Sequence, residues 1–600
     1  MAEDKMVLNG ARKLLREKFR YSPGNIPDKV CSLSDAIKKN VRPGMALHLV
    51  FTTGRWPNAA IYEIIRQFWN TRPGFTLISL TASGPVTAMV HGGLAEKIIT
   101  SYTGDSYYAV RPNAAHQRAY ENKEVVYENW SLLTFILRLM AGAMGLPFLP
   151  ARSLAGSTMA EDNREKFVIA GDPFGTDEKV GLVKALVPDL SIVHALAADQ
   201  EGNALFFPPY AENLYGAAAS RNGVILTAEK IVPPETIRRY SYLVKLPAQY
   251  VASVSEAPFG AHPGGITNNV VPGIQGYIED YDFFNELHEA ARDREKFDDW
   301  IGEWVLDCCD HRDYLRKLGS RRMFYLQGKS GENSWMLEEE ELLSCIDLKS
   351  KANHVETAII AASRKLAELV KKGEYKTVLA GAGLANLAAS MAYYKLREEG
   401  YPVELMVEMG LYGYAPRPLD PMIMNFRNHP ACKMLTDAHW IMGVAMGGRN
   451  NRCIGCLGAA LVDRSGNINS TLTGSHIGGS GGANDIASMS KEVMVLAIQS
   501  PQKFVENVSY ITSPGDKVRT LISTLGVFEK LGLDEEFTLT GYFPGSSFAS
   551  PEENISHVME NCGWKLKVAR DINKVPLPSS EELMTLRLLD PQRYYLGKNT

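Results

Sequence analysis

Cysteine is scarce in this sequence, and the few cysteines follow no pattern typical of disulfides or metal sites. The 600 residues include 8 Cys, and no spacing among them indicates a disulfide framework. Cys453 and Cys456 form an isolated CxxC, but a structural zinc site needs two more ligands, and none lies nearby at a suitable spacing. We therefore expect buried, reduced cysteines, no bound metal and a cytoplasmic location.

Long apolar runs and blocks of like charge are also missing. The N-terminal segment is charged and lacks the apolar core of a signal peptide. Net charge is −4 without a basic block, so we expect neither nucleic acid nor a membrane as a partner. The most apolar window, Leu132 to Leu149, falls short of a membrane span because it is interrupted by Arg138, Gly142, Gly145 and Pro147.

The composition that remains is that of an ordinary globular protein, with 45% apolar and 22% charged residues. A chain of 600 residues is too long for one hydrophobic core, so we expect at least two domains. The segment 235–335 is rich in charged and aromatic residues, which indicates surface helices that close a first domain. We place the two domains at residues 1–335 and 336–600.

Residues 376–413 have the pattern of a βαβ unit. Thr377 to Ala380 is a short apolar run that ends at a glycine-containing turn, as a buried parallel strand does. Leu384 to Glu399 has helical periodicity, and Val403 to Val407 is a second strand. Both strands of such a unit point their carboxyl ends at one crevice, where open α/β sheets bind ligands. Glu408 is therefore expected at the mouth of a crevice.

The first half repeats this order of elements. Ala46 to Phe51 is predicted as a strand, Pro57 to Trp69 as a helix and Phe75 to Leu80 as the next strand. Later strands, predicted at 191–199 and 457–463, both end in D-x-x-G-N, a sequence suited to tight turns. The fold class predicted is α/β, with two related, open and mostly parallel α/β domains that are diverged copies of one unit.

The two halves differ at the position of the carboxylate. Thr81 follows Gly54 by the same number of residues as Glu408 follows Gly381. Three interpretations of Glu408 compete at this point. It is a structural strand-end acid, a ribose ligand in a nucleotide site, or a nucleophile. The nucleotide motif G-x-G-x-x-G is incomplete, because its third glycine is replaced by Asn386.

The third interpretation is covalent catalysis at Glu408. A carboxylate can take an acyl group from an activated substrate such as a thioester. Gly410 and Gly413 follow the acid, and we expect them to remove side chains that would block the substrate. Backbone N–H groups for the developing oxyanion are expected from the glycine-rich loop 478–485, which precedes a helix.

Three motifs in the second half resemble the β half of a family I CoA-transferase. They are E-x-G-x-x-G at 408–413, D-x-x-G-N at 463–467 and GGSGGANDIAS at 478–488. The α half of that family is similar to the first half at 43–54, 140–157 and 194–206, and the segment 503–515 most resembles the glutaconate CoA-transferase branch. The chain thus resembles two such subunits fused in α-then-β order.

This resemblance implies transfer of CoA between two carboxylic acids by a ping-pong mechanism. Glu408 would be the nucleophile and would carry a glutamyl-CoA thioester. The resemblance implies acyl-CoA and a carboxylic acid as small-molecule partners, with no permanently bound cofactor. Oligomers are optional, since a fused chain holds a full site. The residues expected near CoA and the oxyanion are Gly481, Gly482 and Ala483, with Thr53 and Gly54 from the first half.

Other positions leave alternatives open. Val407 and Met409 depart from the Ser and Asn that flank the glutamate in succinyl-CoA:3-ketoacid transferases. Arg55 and Arg417 are candidate contacts for a substrate carboxylate, although a solvated loop charge is our preferred interpretation of each. Acyl-CoA hydrolysis, decarboxylation and catalytically silent binding of an acyl-CoA or a nucleotide remain the alternative functions. The presence of Glu408 favours transfer, because the hydrolases and decarboxylases of this scaffold replace or lack it.

Overall fold

The computed structural model describes residues 2–20, 26–52, 54–347, 349–474, 476–532, 535–544 and 550–597. Each half of the chain, divided here after residue 335, contains one large β-sheet with helices packed against it. The strands of these two sheets are numbered in chain order.

The first sheet has seven strands, all parallel to their neighbours. They are β1 (Ala46–Leu49), β2 (Phe75–Ile78), β3 (Ala95–Thr100), β4 (Val126–Asn129), β5 (Leu190–Ala195), β6 (Val224–Ala228) and β7 (Val251–Glu256). Their order across the sheet is β7-β6-β5-β1-β2-β3-β4. Every residue of β5 and β6 is buried, as expected for central parallel strands covered on both faces.

The second sheet has ten strands and is mixed. They are β8 (Thr377–Ala380), β9 (Glu404–Val407), β10 (Leu411–Tyr414), β11 (Met434–Leu435), β12 (Cys453–Gly458), β13 (Glu492–Ala497), β14 (Val518–Ser523), β15 (Gly526–Glu529), β16 (Thr538–Tyr542) and β17 (Lys567–Lys574). Their order is β11-β10-β9-β8-β12-β13-β14-β15-β16-β17. The five strands from β9 to β14 are parallel, whereas β10 and β11 at one end and β15 and β16 toward the other pair antiparallel.

The two sheets share a common arrangement of five parallel strands. The order β2-β1-β5-β6-β7 in the first sheet has the same connectivity as β9-β8-β12-β13-β14 in the second. The sheets differ beyond β2 and β9, where the first continues with parallel β3 and the second turns back into antiparallel β10. The prediction of two related, mostly parallel α/β domains is confirmed.

The helices of the first half lie both between the strands and after them. They are Ala2–Glu17, Leu33–Asn40, Asn58–Phe68, Val86–His91, Ala114–Glu121, Leu132–Ala143, Thr158–Asp162, Tyr215–Ala219, Pro234–Arg239, Tyr281–Ala291, Arg294–Ile301, His311–Leu318 and Ser320–Gly328. The last four form most of the predicted helical segment. The helices of the second half are Glu339–Cys345, His354–Lys372, Leu384–Glu398, Ala483–Met489, Pro551–Glu560 and Ser580–Leu589.

The predicted strand at 457–463 is wrong in its bounds. The central strand β12 ends at Gly458, and Leu461–Asp463 belongs to a separate small sheet. The cysteines of the CxxC motif lie in β12 and are buried, which agrees with a packing role. The D-x-x-G-N turn forms as predicted, because the Asp463 carboxylate accepts the N–H groups of Ser465 and Asn467 at 3.0 Å.

The halves are joined by a continuous core. One cluster of buried apolar side chains extends from Trp130 and Phe135 in the first half to Ile359 and Leu405 in the second. Within the described residues, no helix has the length and apolarity needed to cross a bilayer. The same part of the chain contains no group of three or more His, Cys, Asp or Glu side chains placed to hold a metal ion.

Candidate active site

Glu408 follows the carboxyl end of β9, as the sequence pattern predicts. Helix Leu384–Glu398 connects β8 to β9, and the two strands are parallel. After Glu408 the chain turns back into β10, with the Gly410 N–H donating to the Val407 carbonyl at 3.0 Å. Gly410 has a φ of +116°, a conformation that favours glycine. The carboxylate thus sits on a short hairpin turn at the sheet edge.

The two glycines after Glu408 serve the hairpin and not substrate access. A Cβ at Gly410 would lie 2.7 Å from the carbonyl carbon of Thr436, and one at Gly413 would lie 3.0 Å from Lys433 Cδ. Both positions are therefore filled by the neighbouring chain segment that includes β11. The expectation that these glycines clear a path for the thioester is wrong.

The glycine-rich loop is held in place by the first half of the chain. The Thr103 N–H donates to the Gly478 carbonyl at 2.8 Å, and the Gly481 N–H donates to the Ser101 carbonyl at 2.9 Å. The Gly481 carbonyl in turn accepts the Leu132 N–H at 2.9 Å. Although the loop belongs to the second half, backbone groups of the first half fix its position.

Gly482 brings this loop into contact with Glu408. A Cβ on Gly482 would overlap Glu408 Oε2 and lie 2.9 Å from Cδ, so the carboxyl group lies directly against the glycine. Two of the predicted oxyanion donors are already used, because Gly481 N–H bonds to Ser101 and Ala483 N–H bonds to the Ser480 carbonyl at 3.0 Å. Of the three predicted loop donors, Gly482 is the one that both touches the carboxyl group and is not shown donating to another backbone carbonyl.

Glu408 opens into a cavity of about 360 Å³ that both halves line. This volume lies within the range of small-ligand pockets. The main contributors from the first half are Thr81, Ser101, Tyr102, Thr103, Arg111 and Leu132, and those from the second are Glu408, Met409, Leu457 and residues 477–483. Thr81 and Glu408, the equivalent positions predicted from the repeat, therefore face the same cavity. The buried Thr81 hydroxyl has no hydrogen-bond partner among the described residues.

A second buried acid influences Glu408. Burial, reinforced by the negative charge of Asp485, raises the pKa of Glu408 to about 7. Asp485 is fully buried and accepts the Ser131 Oγ–H at 2.7 Å and the Leu133 N–H at 3.0 Å. Burial also raises the pKa of Asp485, to about 6. Asp485 thus connects the loop helix to the start of helix Leu132–Ala143 across the two halves.

The other predicted site residues do not line this cavity. Thr53 lies outside the described residues. Gly54 packs against Phe426, whose Cε1 would be 2.7 Å from a Cβ at residue 54. Arg417 lies beside a separate, much smaller cavity near helix Leu384–Glu398. The structure therefore gathers Glu408, Gly481, Gly482 and Ala483, and leaves Gly54 and Arg417 elsewhere.

Arg55 is neither a solvated loop charge nor part of the cavity lining. Its side chain is 2% exposed and donates to the carbonyls of Thr52 at 2.9 Å, Phe207 at 2.6 Å and Pro209 at 2.9 Å. Burial lowers its pKa to about 10. Arg55 fastens the segment around residue 208 to the turn after β1, and this structural role replaces both interpretations made from the sequence.

Two residues of the site were not assigned from the sequence. Asp485 lies within the quoted GGSGGANDIAS motif, but its contact to Ser131 joins positions far apart in the chain. Arg111 lies in a segment without a recognisable pattern, and only the three-dimensional structure brings it to the cavity.

Comparisons with known proteins agree with this architecture. The coenzyme A transferase family model matches residues 30–257. One of the two kinds of subunit of glutaconate CoA-transferase from Acidaminococcus fermentans is 31% identical over 317 residues, and the match covers 50% of this chain and 94% of that protein. The chain belongs to the coenzyme A transferase family. The other kind of subunit, from the 3-oxoadipate CoA-transferase of Pseudomonas knackmussii, is 30% identical over 261 residues, covering 39% of this chain and 92% of that protein.

This CoA-transferase is therefore a transferase enzyme that combines counterparts of both kinds of subunit in one polypeptide, as the sequence motifs predict. The solved structure of the apoenzyme of an acyl-CoA transferase from Escherichia coli O157:H7 aligns with a TM-score of 0.62 at 15% identity. That alignment covers 96% of this chain and 99% of the other and shows that the fold is shared.

Proposed function

We propose that this CoA-transferase moves CoA from an acyl-CoA to a carboxylic acid through a thioester on Glu408. The observation that best supports the proposal is the contact between the Glu408 carboxyl group and Gly482, in a cavity lined by both halves. CoA would enter and leave as part of the substrates. The domain division at residues 1–335 and 336–600 is part of the same proposal, with the cavity lying between the two domains.

The reaction proceeds in two matched halves. The Glu408 carboxylate attacks the thioester carbonyl, the C–S bond breaks, and CoA thiolate leaves a mixed anhydride. The thiolate then attacks the Glu408 carbonyl carbon of the anhydride and expels the first carboxylate, which leaves glutamyl-CoA. The acceptor carboxylate attacks this thioester and expels the thiolate. The thiolate then attacks the acceptor carbonyl, which forms the new acyl-CoA and frees Glu408.

The surroundings of Glu408 suit this chemistry. A carboxyl group with a pKa near 7 is more basic, and hence more nucleophilic, than an ordinary glutamate. The Gly482 N–H is the amide nearest the reacting carbon and would bind the oxyanion. Because the loop is fixed by bonds to Ser101 and Leu132, it needs little rearrangement when charge develops. Binding of the long CoA chain would supply energy to position the thioester.

The test is to trap the intermediate. The protein is incubated with an acyl-CoA and no acceptor, and intact mass is measured for the addition of CoA with loss of water. Borohydride reduction and peptide mapping then locate the thioester, which we expect at Glu408. Glu408→Gln should give no adduct. Glu256→Gln, which changes an exposed acid at the end of β7, is the matched control and should form it normally.

Two outcomes would contradict the proposal. One is turnover of an acyl-CoA without any adduct and with an unchanged rate in Glu408→Gln. The other is consumption of the acyl-CoA without an acceptor acid, which would indicate hydrolysis or decarboxylation. Binding of acyl-CoA without any turnover would indicate a binding module.

A further inference from the structure

The cavity beside Glu408 contains one permanent positive charge. Of the described side chains that line it, only Arg111 is an arginine or lysine. It lies on the wall from the first half, with Tyr102, Val110 and Pro112 as neighbours in the lining. A cation on the wall of a largely apolar pocket is the kind of polar group that orients a ligand.

The backbone of Arg111 is fixed, so the base of its side chain has a defined position. Its N–H donates to the Asp105 carbonyl at 3.0 Å, and its carbonyl accepts the Asp105 N–H at 2.9 Å. The Tyr102 hydroxyl also donates to this carbonyl, at 3.4 Å. These bonds tie the segment into a short loop that ends at the cavity.

The guanidinium group has no carboxylate partner among the described residues. Its Nη2 donates to the neutral Asn285 Oδ1 at 2.9 Å, and its buried Nε has no hydrogen-bond partner there. The Asp105 carboxylate is already occupied by His288 and by the Asn113 side-chain amide. Partly buried arginines are usually paired or hydrogen-bonded throughout, so an uncompensated one beside a cavity indicates a missing anion.

Arg111 also lies away from the reacting carboxyl group. An adjacent guanidinium would lower the pKa of Glu408, whereas that pKa is raised by burial and Asp485. A ligand whose thioester carbonyl meets Glu408 would therefore reach Arg111 with a different part of its structure.

We propose that Arg111 binds an oxyanion of the acyl-CoA substrate that is remote from the thioester carbonyl. This inference rests on the proposed function. The planar guanidinium suits a carboxylate or a phosphate oxygen pair equally. The anion is either the distal carboxylate of a dicarboxylic acyl group or a phosphate of CoA.

Four thioesters distinguish these sources. Glutaryl and pentanoyl groups have equal chain length, but only glutaryl carries a distal carboxylate. Each is offered as the CoA thioester and as the pantetheine thioester, which lacks phosphates. The rate of CoA or pantetheine adduct formation on the protein is measured without acceptor in the wild type, Arg111→Gln and Arg111→Lys.

A carboxylate contact predicts that Arg111→Gln lowers kcat/KM about 10- to 100-fold for both glutaryl thioesters and leaves both pentanoyl thioesters unchanged, as expected for a charge-assisted hydrogen bond. A phosphate contact predicts the same loss for both CoA thioesters and none for the pantetheine thioesters. In either case Arg111→Lys should retain part of the activity, since it keeps the charge and loses the planar fork.

The inference is overturned if Arg111→Gln changes none of the four, or lowers all four equally, since a uniform loss indicates structural damage. Arg118→Gln is the control, because this nearby arginine donates to the Ala291 carbonyl and lies outside the cavity lining. Failure of the proposed function looks different. Wild type would then form no adduct on Glu408 with any thioester, whatever the effect of Arg111 on acyl-CoA binding or consumption.

Discussion

Gly482 and Glu408 pack so closely that no side chain fits between them. A Cβ at residue 482 would overlap Glu408 Oε2 and lie 2.8 Å from Met442 Cε. The glycine is therefore required by the position of the carboxyl group, independently of any need for flexibility in the loop. This contact also places the backbone of the loop against the carbon atom that would be acylated.

Gly482→Ala should abolish most adduct formation while the protein stays folded. The added methyl group forces the Glu408 carboxyl group away from the loop, and a displacement of about 1 Å in a reacting group costs about 100-fold in rate. We expect at least that loss in the single-turnover rate with acyl-CoA. Gly171→Ala is the control, because a Cβ there meets nothing within 4 Å. Normal activity in Gly482→Ala would disprove the arrangement of the site.

Adduct formation should depend on pH with a midpoint near 7. Glu408 must be deprotonated to attack, and burial together with Asp485 raises its pKa to about 7. The single-turnover rate should therefore rise about tenfold per pH unit below this value and level off above it. Rapid-quench measurements from pH 5 to 9 test this. A rate that is already flat at pH 5 would show that Glu408 ionises normally.

Glu408→Gln should stabilise the protein at alkaline pH. The pKa of Glu408 is about 7 in the folded protein and about 4.3 in an unfolded chain, so the folded state holds more protons between these values. Stability is then lost as pH rises toward 7, by about 2–3 kcal/mol in total. The amide avoids this cost. The difference in Tm between variant and wild type should be larger at pH 8 than at pH 5, and equal differences would contradict the assignment.

The sequence predicts the parts of the site that depend on local order. Glu408 lies at the end of β9 because a strand, a glycine turn and a helix precede it, and the repeat identifies Thr81 as its counterpart. The burial of Arg55 is not predictable in this way, because it depends on the carbonyls of Phe207 and Pro209, which lie far along the chain. For the same reason the contact between Asp485 and Ser131 could not be predicted from either segment alone.

Glu356 should be essential for stability and dispensable for the site. Its buried carboxylate contacts Arg587 Nε at 2.8 Å and Arg593 Nη1 at 3.0 Å, and it also caps helix His354–Lys372 by accepting the Asn353 N–H at 2.9 Å. Glu356→Gln leaves two arginines without their anion, which costs about 3–5 kcal/mol. Urea unfolding measures this loss. Glu368→Gln, at a largely exposed pair with Lys365, should cost under about 1 kcal/mol.

Asp485→Asn should shift the pH dependence of Glu408 toward lower pH. The substitution removes the negative charge that reinforces the raised pKa of Glu408, while an amide oxygen can still accept one of the hydrogen bonds from Ser131 and Leu133. The midpoint of the single-turnover rate should fall below 7 but stay above that of a free glutamate, because Glu408 remains buried. The rate at high pH should also fall, since a less basic carboxylate is a weaker nucleophile.

Ser131→Ala separates the charge of Asp485 from its structural contact. This variant removes the Ser131 hydrogen bond to Asp485 and the cap that Ser131 provides to the Thr134 N–H, but it keeps the negative charge. It should lower stability by about 1–3 kcal/mol and leave the midpoint near 7. If both variants shift the midpoint equally, Asp485 influences Glu408 only by holding the loop in place. A shift in Asp485→Asn alone would establish that a charge fixed by the first half tunes the nucleophile of the second.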